Sequence, residues 1–337
     1  MRAFVSGAAG FVGQALVVQL LENGYHVTTF DLPKNPIYTA FAQQMYQHYP
    51  NQLTVAEGDV TRLEDIQTHL KESTLVFHTA ALLNSIANKA QFYAVNVLGT
   101  ENMCEASVQA NATRFVLIST SDVFGIPPKD HIITEKTTYS AWNEPYADTK
   151  IEACNVVKRY QRERSLPTTI IYPGWVYGPG DKQFFPAIID MVNERNAFVW
   201  HKAQPCGIDL IYISDLVVAT LKAATSNIAV GQDYLVLDNS SDITPERLFQ
   251  MIARKLEVPI KIHKIPYIVM YCIASISQFC VRIGLAKNHL LSTTDVKAFG
   301  NDFSFSNKKA KADLEWSPSV TSEEGIQLAL NWQIDPT

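Results

Sequence analysis

The chain has 337 residues, a formal net charge of −5, 47% apolar residues and 18% charged ones. That is too apolar for a disordered chain, and long enough for one large domain or two closely joined ones. The acidic balance and the lack of any long basic run argue against a nucleic-acid partner.

In chain order, "RAFVSG" predicts a short apolar strand. "FVGQALVVQLLENG" has helical periodicity and stops at Gly24, and "HVTTFD" predicts a second strand. "QLTVAEGDV", "TLVFHTAA" and "RFVLIST" are three more strand-like runs, most of them separated by helical patterns such as "KAQFYAVNVLGTENMCEASVQA" and the segment from Tyr146. Alternating units of this kind imply an α/β fold, a doubly wound parallel sheet (Rossmann) with helices on both faces. After "TTIIYPGWVYGPGD" the pattern loosens around Pro173, Gly174, Gly178, Pro179 and Gly180. "DLIYI", "DLVVATLKAAT" and "DYLVLD" are assigned back to the sheet domain. The expected organisation is a dinucleotide-binding domain, 1–171 plus 209–237, and a smaller C-terminal α/β substrate-binding region, 172–208 plus 238–337.

That second region should hold a helix "TPERLFQMIARKLEV" capped by Thr244, and a last helix "SEEGIQLALNWQ". Between them "IPYIVMYCIASISQFCV", residues 265–281, carries no charge. It is short for a membrane span and contains Pro266, Ser275, Ser277 and Gln278, so a buried or surface-docked helix is expected. Peripheral contact with a membrane through 265–285 is the alternative. The five cysteines, Cys104, Cys154, Cys206, Cys272 and Cys280, are widely spaced and form no C-x-x-C. Neither a disulfide framework nor a metal site is expected. A reducing compartment fits, so the expected location is the cytoplasm, with or without membrane association. No signal peptide is read, because "MRAFVSGAAG" runs straight into a glycine motif.

That motif, "VSGAAGFVG", lies between the first strand and the first helix and places Gly7, Gly10 and Gly13 three residues apart. One glycine permits the turn, one lets backbone approach a pyrophosphate, and one lets helix and strand pack closely. The helix N-terminus adds unpaired N–H groups and partial positive charge. A dinucleotide cofactor is therefore expected. Asp31 closes the second strand, where a carboxylate accepts hydrogen bonds from ribose hydroxyls and repels a 2′-phosphate. NAD is favoured over NADP.

A second pattern is "YADTKIEA". Tyr146 and Lys150 stand one helical turn apart and share a face. With both patterns in view, the chain resembles the extended short-chain dehydrogenase/reductase family, also described as the NAD-dependent epimerase/dehydratase superfamily, over nearly its whole length. "GAAGFVG" matches the cofactor loop and implies contacts from Gly7, Gly10, Phe11, Val12 and Gly13. "GDVTRLEDI" places Asp59 and Val60 beside adenine, and "VFHTAA" lays Ala80 and Ala81 along the cofactor. "NVLGTENM" brings the family's asparagine at Asn96, and "YPGWVYGPGD" brings Pro173 to the cofactor side. "STSDVFG" carries the catalytic hydroxyl, Thr120 when aligned on its last glycine, with Ser121 as fallback. Phe124 stands where many relatives have tyrosine.

The resemblance implies that the Tyr146 phenol exchanges a proton with the substrate oxygen as hydride moves to or from nicotinamide. An unperturbed phenol titrates near about 10, and Lys150 is expected to lower that value and to hold the nicotinamide ribose. It also implies a homodimer built on helices within 88–110 and 144–165.

Three features turn the expected substrate away from nucleotide sugars. Ser121 and Asp122 supply one carboxylate where dehydratases carry an acidic pair. Trp175 replaces the usual asparagine. The apolar segment 265–281 resembles one that sterol-type members carry near that point, and "PGWVYGPGD" resembles the 3β-hydroxysteroid dehydrogenase-like branch, although Tyr172 replaces the arginine usual before Pro173. The expected activity is NAD(H)-dependent oxidation or reduction of a largely apolar secondary alcohol or ketone, 3β-hydroxysteroid- or sterol-like. Leu82, Leu83, Ser121, Trp175 and His201 are its candidate substrate contacts. A nucleotide-sugar epimerase or dehydratase is the alternative, and a cofactor-binding module without turnover is a third reading. His78 is expected to be a satisfied core histidine, and Asp215 to fix a loop or cap a helix.

Overall fold

Seven apolar runs form one all-parallel sheet: β1 (Arg2–Ser6), β2 (His26–Asp31), β3 (Leu53–Glu57), β4 (Thr74–His78), β5 (Arg114–Ile118), β6 (Thr168–Pro173) and β7 (Gln232–Val236). The computed structural model describes residues 1–70, 74–83, 87–126, 128, 131–200, 207–239, 243–283, 285, 292–301 and 303–335. The strand order is β7-β6-β5-β4-β1-β2-β3. The chain winds outward from β1 to β3, then returns to lay β4 on the other side of β1. That reversal opens a crevice at the carboxyl ends of β1 and β4, where ligands of such sheets bind.

Both faces of the sheet are covered, which is why its strands read as near-continuous apolar runs. Ala3 and Val5 point into one core with Leu16, Val17 and Leu20 of the helix Phe11–Glu22 and Leu216 and Val217 of the helix Ile213–Thr225. Phe4 points into the other, with Met103 and Cys104 of the helix Gly99–Gln109 and Val156 and Val157 of the helix Pro145–Arg164. β5 repeats the alternation, Val116 and Ile118 to the first core, Phe115 and Leu117 to the second.

A helix unforeseen from the pattern, Pro36–His48, joins β2 to β3. Asn35 caps it and Pro36 starts it. Its Tyr38 hydroxyl bonds the Thr29 hydroxyl at 2.7 Å and the Ala56 carbonyl at 2.8 Å, tying it to both strands. Within the part assigned to the sheet domain, the "DLIYI" strand, Leu210–Tyr212, pairs with Trp175–Tyr177 in a two-stranded sheet beside the central one. The approach of the two segments needs Gly174, because a side chain there would meet the Asp209 carbonyl oxygen at 2.4 Å. The following helix and β7 do return to the sheet.

The C-terminal region is built from short pieces. Asn196–Val199 pairs with Lys261–Lys264, and Ser304–Phe305 pairs with Ile132–Ile133. The helix Pro245–Lys255 is capped by the Thr244 hydroxyl as expected, and the last helix, Ser322–Ile334, by Thr321. The uncharged segment forms the helix Tyr267–Arg282. No helix among the described residues is long and apolar enough to cross a membrane.

Candidate active site

The glycine loop has the steric logic its spacing implied. Gly7 has φ +74°, and a Cβ on it would lie 2.5 Å from the backbone N of Ala80. One on Gly13 would lie 2.1 Å from the Gly7 carbonyl oxygen, so loop and helix close only on bare backbone. Gly10 is different: the nearest obstacle to a Cβ is the Gly7 oxygen at 3.2 Å, which leaves its outer side open to a ligand. Gly10 is the N-cap of the helix Phe11–Glu22, whose first turn has neither a side-chain cap nor an acidic residue. Its N–H groups and positive dipole end are thus available to an anion such as a pyrophosphate.

Asp31 sits beside this loop. One carboxylate oxygen accepts from the Ala9 N–H at 2.8 Å, the other from the Leu32 N–H at 2.8 Å and the Asn35 amide at 3.2 Å. Asp59 accepts from the Thr61 N–H at 2.9 Å, and the Val60 carbonyl accepts from Asn102 at 3.0 Å. Ala80 and Ala81 follow β4 and Ala80 faces Gly7, while Pro173 ends β6. Phe11 packs near Gly180, and with Val12 it begins the helix on the same rim. These residues fit a dinucleotide.

The catalytic candidates lie on the far side of β4. Glu144 caps the helix Pro145–Arg164 by accepting from the Ala147 N–H at 3.0 Å, which sets Tyr146 in the first turn and Lys150 in the second. Lys150 is 3% exposed, and its ammonium donates to the Ile118 carbonyl at 2.8 Å. Burial lowers its pKa to about 8. The Tyr146 phenol is shifted upward, first by burial, then by the charges of Asp122 and Glu144. This corrects the expectation that Lys150 lowers it. The ammonium is turned toward the end of β5, while the charges of Asp122 and Glu144 add to the effect of burial on the phenol.

Thr120 is extended and leads into a single 3₁₀ turn, Ser121–Phe124; its hydroxyl accepts from the Asp122 N–H at 3.2 Å. Burial pushes the Asp122 carboxyl up to about 6, with a hydrogen bond to Thr120 opposing the rise and Glu144 adding to it. Because β5 has ended at Ile118, strand alternation does not govern Ser121, which is buried and lines the neighbouring cleft. Asn96 lies in a π-helical turn, Tyr93–Leu98. Its amide accepts from the Leu82 N–H at 2.7 Å and donates to the Leu82 carbonyl at 3.2 Å and the Thr149 hydroxyl at 3.0 Å. It thereby locks the loop after β4 to the Tyr146 helix.

Next to Asp122 a cleft opens between Ser121, Trp142, Trp175, Asp209, Phe299, Phe303 and Phe305. Trp175 lies 4.9 Å from Phe299 and 5.0 Å from Phe184 between ring centroids. Trp142 stacks on Phe303 at 6.1 Å, and its indole N–H donates to the Asp122 carbonyl at 2.5 Å. No lysine or arginine is among the described residues that line it. Lys182 and Arg195 are both exposed and lie outside it.

Leu82 and Leu83 do not line this cleft; Leu82 is held by Asn96, and Leu83 is 53% exposed. His201 lies outside the described residues. His78 bonds Ser6 at 2.7 Å and Thr100 at 3.0 Å, and burial lowers its pKa to about 3, as a satisfied core histidine requires. Asp215 accepts from Ser319 and Val320 and fixes the loop before the last helix. Tyr172, in the place of an arginine, bonds the Tyr139 hydroxyl and donates to Asp233 at 3.0 Å, while Phe124 packs edge-on against its ring at 5.1 Å. Sequence reasoning missed Glu144, Trp142, Phe299, Phe303 and Phe305. Only Glu144 had a local signal, an acidic residue at a helix start one place before a proline.

The comparisons with known proteins agree with this geometry. The chain is 27% identical to a 3-beta-hydroxysteroid dehydrogenase of Mycolicibacterium neoaurum, over 99% of this chain and 92% of the relative. It is also 27% identical to the decarboxylating sterol-4-alpha-carboxylate 3-dehydrogenase of Mus musculus, over 97% of this chain and 89% of that one. The UDP-glucose 4-epimerase of Thermus thermophilus, solved with NAD, superposes with a TM-score of 0.74 over 100% of both chains at 21% identity, which speaks for the fold alone. The model of the NAD dependent epimerase/dehydratase family matches residues 3–236, so the chain belongs to that family of extended short-chain dehydrogenase/reductase enzymes, and its cofactor is NAD.

Proposed function

We propose that the protein interconverts a secondary alcohol and a ketone on a largely apolar, 3β-hydroxysteroid- or sterol-like molecule. The observation that carries this reading is the cleft beside Asp122, walled by five aromatic rings and lacking a described cation. A nucleotide sugar brings a diphosphate that needs cations or aimed backbone donors, and the Asp122 carboxylate at the cleft would oppose it. Flat aromatic walls suit fused rings. Bound NAD would accept or supply the hydride. The chain's own part is to hold and move a proton: the Tyr146 hydroxyl faces the substrate oxygen, the Thr120 hydroxyl polarises it, and Lys150 anchors the cofactor ribose. The names of the relatives that match over the whole chain support the same substrate class.

The test is NAD reduction across a panel of 3β-hydroxysteroids, with UDP- and dTDP-sugars as the opposing set. Turnover of steroids with no binding of sugars is expected. Micromolar binding of a diphosphosugar would overturn the reading.

Two further properties belong to the same proposal. The helices Gly99–Gln109 and Pro145–Arg164, with Tyr93 and Leu98 exposed beside them, support pairing of two copies, which sedimentation would detect. The free cysteines among the described residues, Cys104, Cys154, Cys272 and Cys280, support a reducing compartment such as the cytoplasm.

A further inference from the structure

The helix Tyr267–Arg282 is built inside out. Among its described side chains the exposed ones are Ile268, Val269, Cys272, Ile273, Ile276 and Phe279, followed by Ile283 just past its end, and none of these is charged. At about 100° per residue these fall within an arc of roughly 140°. Ile268 is 65% exposed, Ile276 64% and Phe279 59%, and Leu285 just beyond is 77% exposed. A helix on a water-facing surface normally reverses this arrangement. The opposite side, Met270 and Ala274, packs on Val296, Trp200, Tyr267 and Tyr271 in a small core of its own.

Charge sorts with the same feature. Between Glu257 and Asp295 the sequence holds no acidic residue, while Lys261 and Lys264 precede the apolar face and Arg282 and Lys287 follow it. Lys264 is shared with Glu246 at 3.1 Å; Lys261 is exposed. In sequence, a chain of net charge −5 thus flanks this apolar helix with basic residues on both sides and no acidic one between Glu257 and Asp295. An apolar face flanked by basic residues matches a bilayer surface with anionic headgroups. A second copy of the chain would bring the same cations against themselves.

The face is also joined to the cleft. The helix Thr293–Gly300 packs against it through Val296 and links back through Thr293, whose hydroxyl donates to Gln278 at 3.0 Å. The same short helix carries Phe299, the ring that packs on Trp175 in the cleft wall. We propose that the Tyr267–Arg282 helix docks the protein on an anionic membrane surface, lying in the interface without crossing it, and that this places the cleft beside the lipid from which an apolar substrate would be drawn.

Flotation of the purified full chain with lipid vesicles tests this without any substrate. With vesicles of equal parts phosphatidylcholine and phosphatidylglycerol the protein should rise with the lipid. With phosphatidylcholine alone, or at high salt, much less should rise. The double variant Ile276→Asp/Phe279→Asp should bind the mixed vesicles at least about tenfold more weakly, with unfolding midpoint and NAD affinity unchanged. Protein that stays in solution with both vesicle types, or a double variant that floats like wild type, overturns the proposal. So does a wild-type dimer that the double variant splits, which would assign the face to a second copy. Flotation together with failure to oxidise any steroid would sink the proposed substrate and leave the docking intact.

Discussion

Tyr146 and Lys150, the proposed proton-transfer pair, are both perturbed by burial, the phenol upward and the ammonium downward. Replacing the phenol hydroxyl alone, Tyr146→Phe, is expected to lower turnover at least about 100-fold and leave NAD affinity nearly unchanged; steady-state kinetics and a cofactor titration check both. Lys150 is a buried cation with one carbonyl partner, and its pKa falls from 10.5 to about 8. Between those values the unfolded chain binds more protons than the folded one, so this residue makes stability rise with pH. Its cost is fully present below pH 8. Lys150→Met should therefore be more stable than wild type at pH 7 by up to about 3 kcal/mol, although turnover collapses. Denaturant unfolding without cofactor at pH 7 and pH 10 is the measurement, and the gap should shrink at the higher pH. Asp122 acts on the phenol through its charge. Because its charge helps raise the Tyr146 pKa, Asp122→Asn should move the acid limb of the alcohol-oxidation pH profile down by about half a unit to one unit. An unmoved limb would show that the carboxylate and the phenol are uncoupled.

Elements explain which parts of the site could be read in advance. The loop Gly7–Gly13 and the Tyr146–Lys150 pair are local, so residue type and spacing specify them almost completely. Asp31 is local too, a strand-end carboxylate that the structure fastens to the Ala9 N–H. NAD should bind at least about tenfold, or 1.4 kcal/mol, tighter than NADP. Asp31→Ala should narrow that ratio while also weakening NAD, because the loop loses its anchor; fluorescence titration of both cofactors decides, and a wild-type preference for NADP would refute the assignment. The cleft was not legible in this way. Its walls come from Ser121, Trp142, Trp175, Phe299 and Phe303, segments that no period or motif joins and only tertiary packing assembles. The partner of the Leu210–Tyr212 strand was hidden for a related reason. Three apolar residues state that a strand exists, and only the folded chain shows that it pairs with Trp175–Tyr177. The upward shift of Tyr146 comes first from burial and then from the charges of Asp122 and Glu144, and burial is a tertiary property that spacing does not encode.

At the scale of the whole molecule the packing falls into three parts of unequal size. Two large cores clamp the sheet from either side. The third is the small cluster of Met270, Ala274 and Val296 with Trp200 and its neighbours. Free energy of opening follows buried apolar contact, so the parts of this molecule should not melt at one threshold. The pair of helices around Val296 has little to lose by detaching, whereas β1, β4 and β5 can be freed only by unfolding everything. Amide hydrogen exchange should divide accordingly. Amides in the helix Tyr267–Arg282 should exchange through an opening several kcal/mol less costly than the global one, and those in β4 and β5 should exchange only at the global limit. Uniform protection across the chain would refute this. Phe299 rides on the less deeply packed unit, so an exchange pattern of this kind would make the width of the aromatic cleft follow a local equilibrium and not the rigidity of the sheet. The proposed proton-transfer residues would then stand on the part that opens last, and one wall of the cleft on the part that opens first.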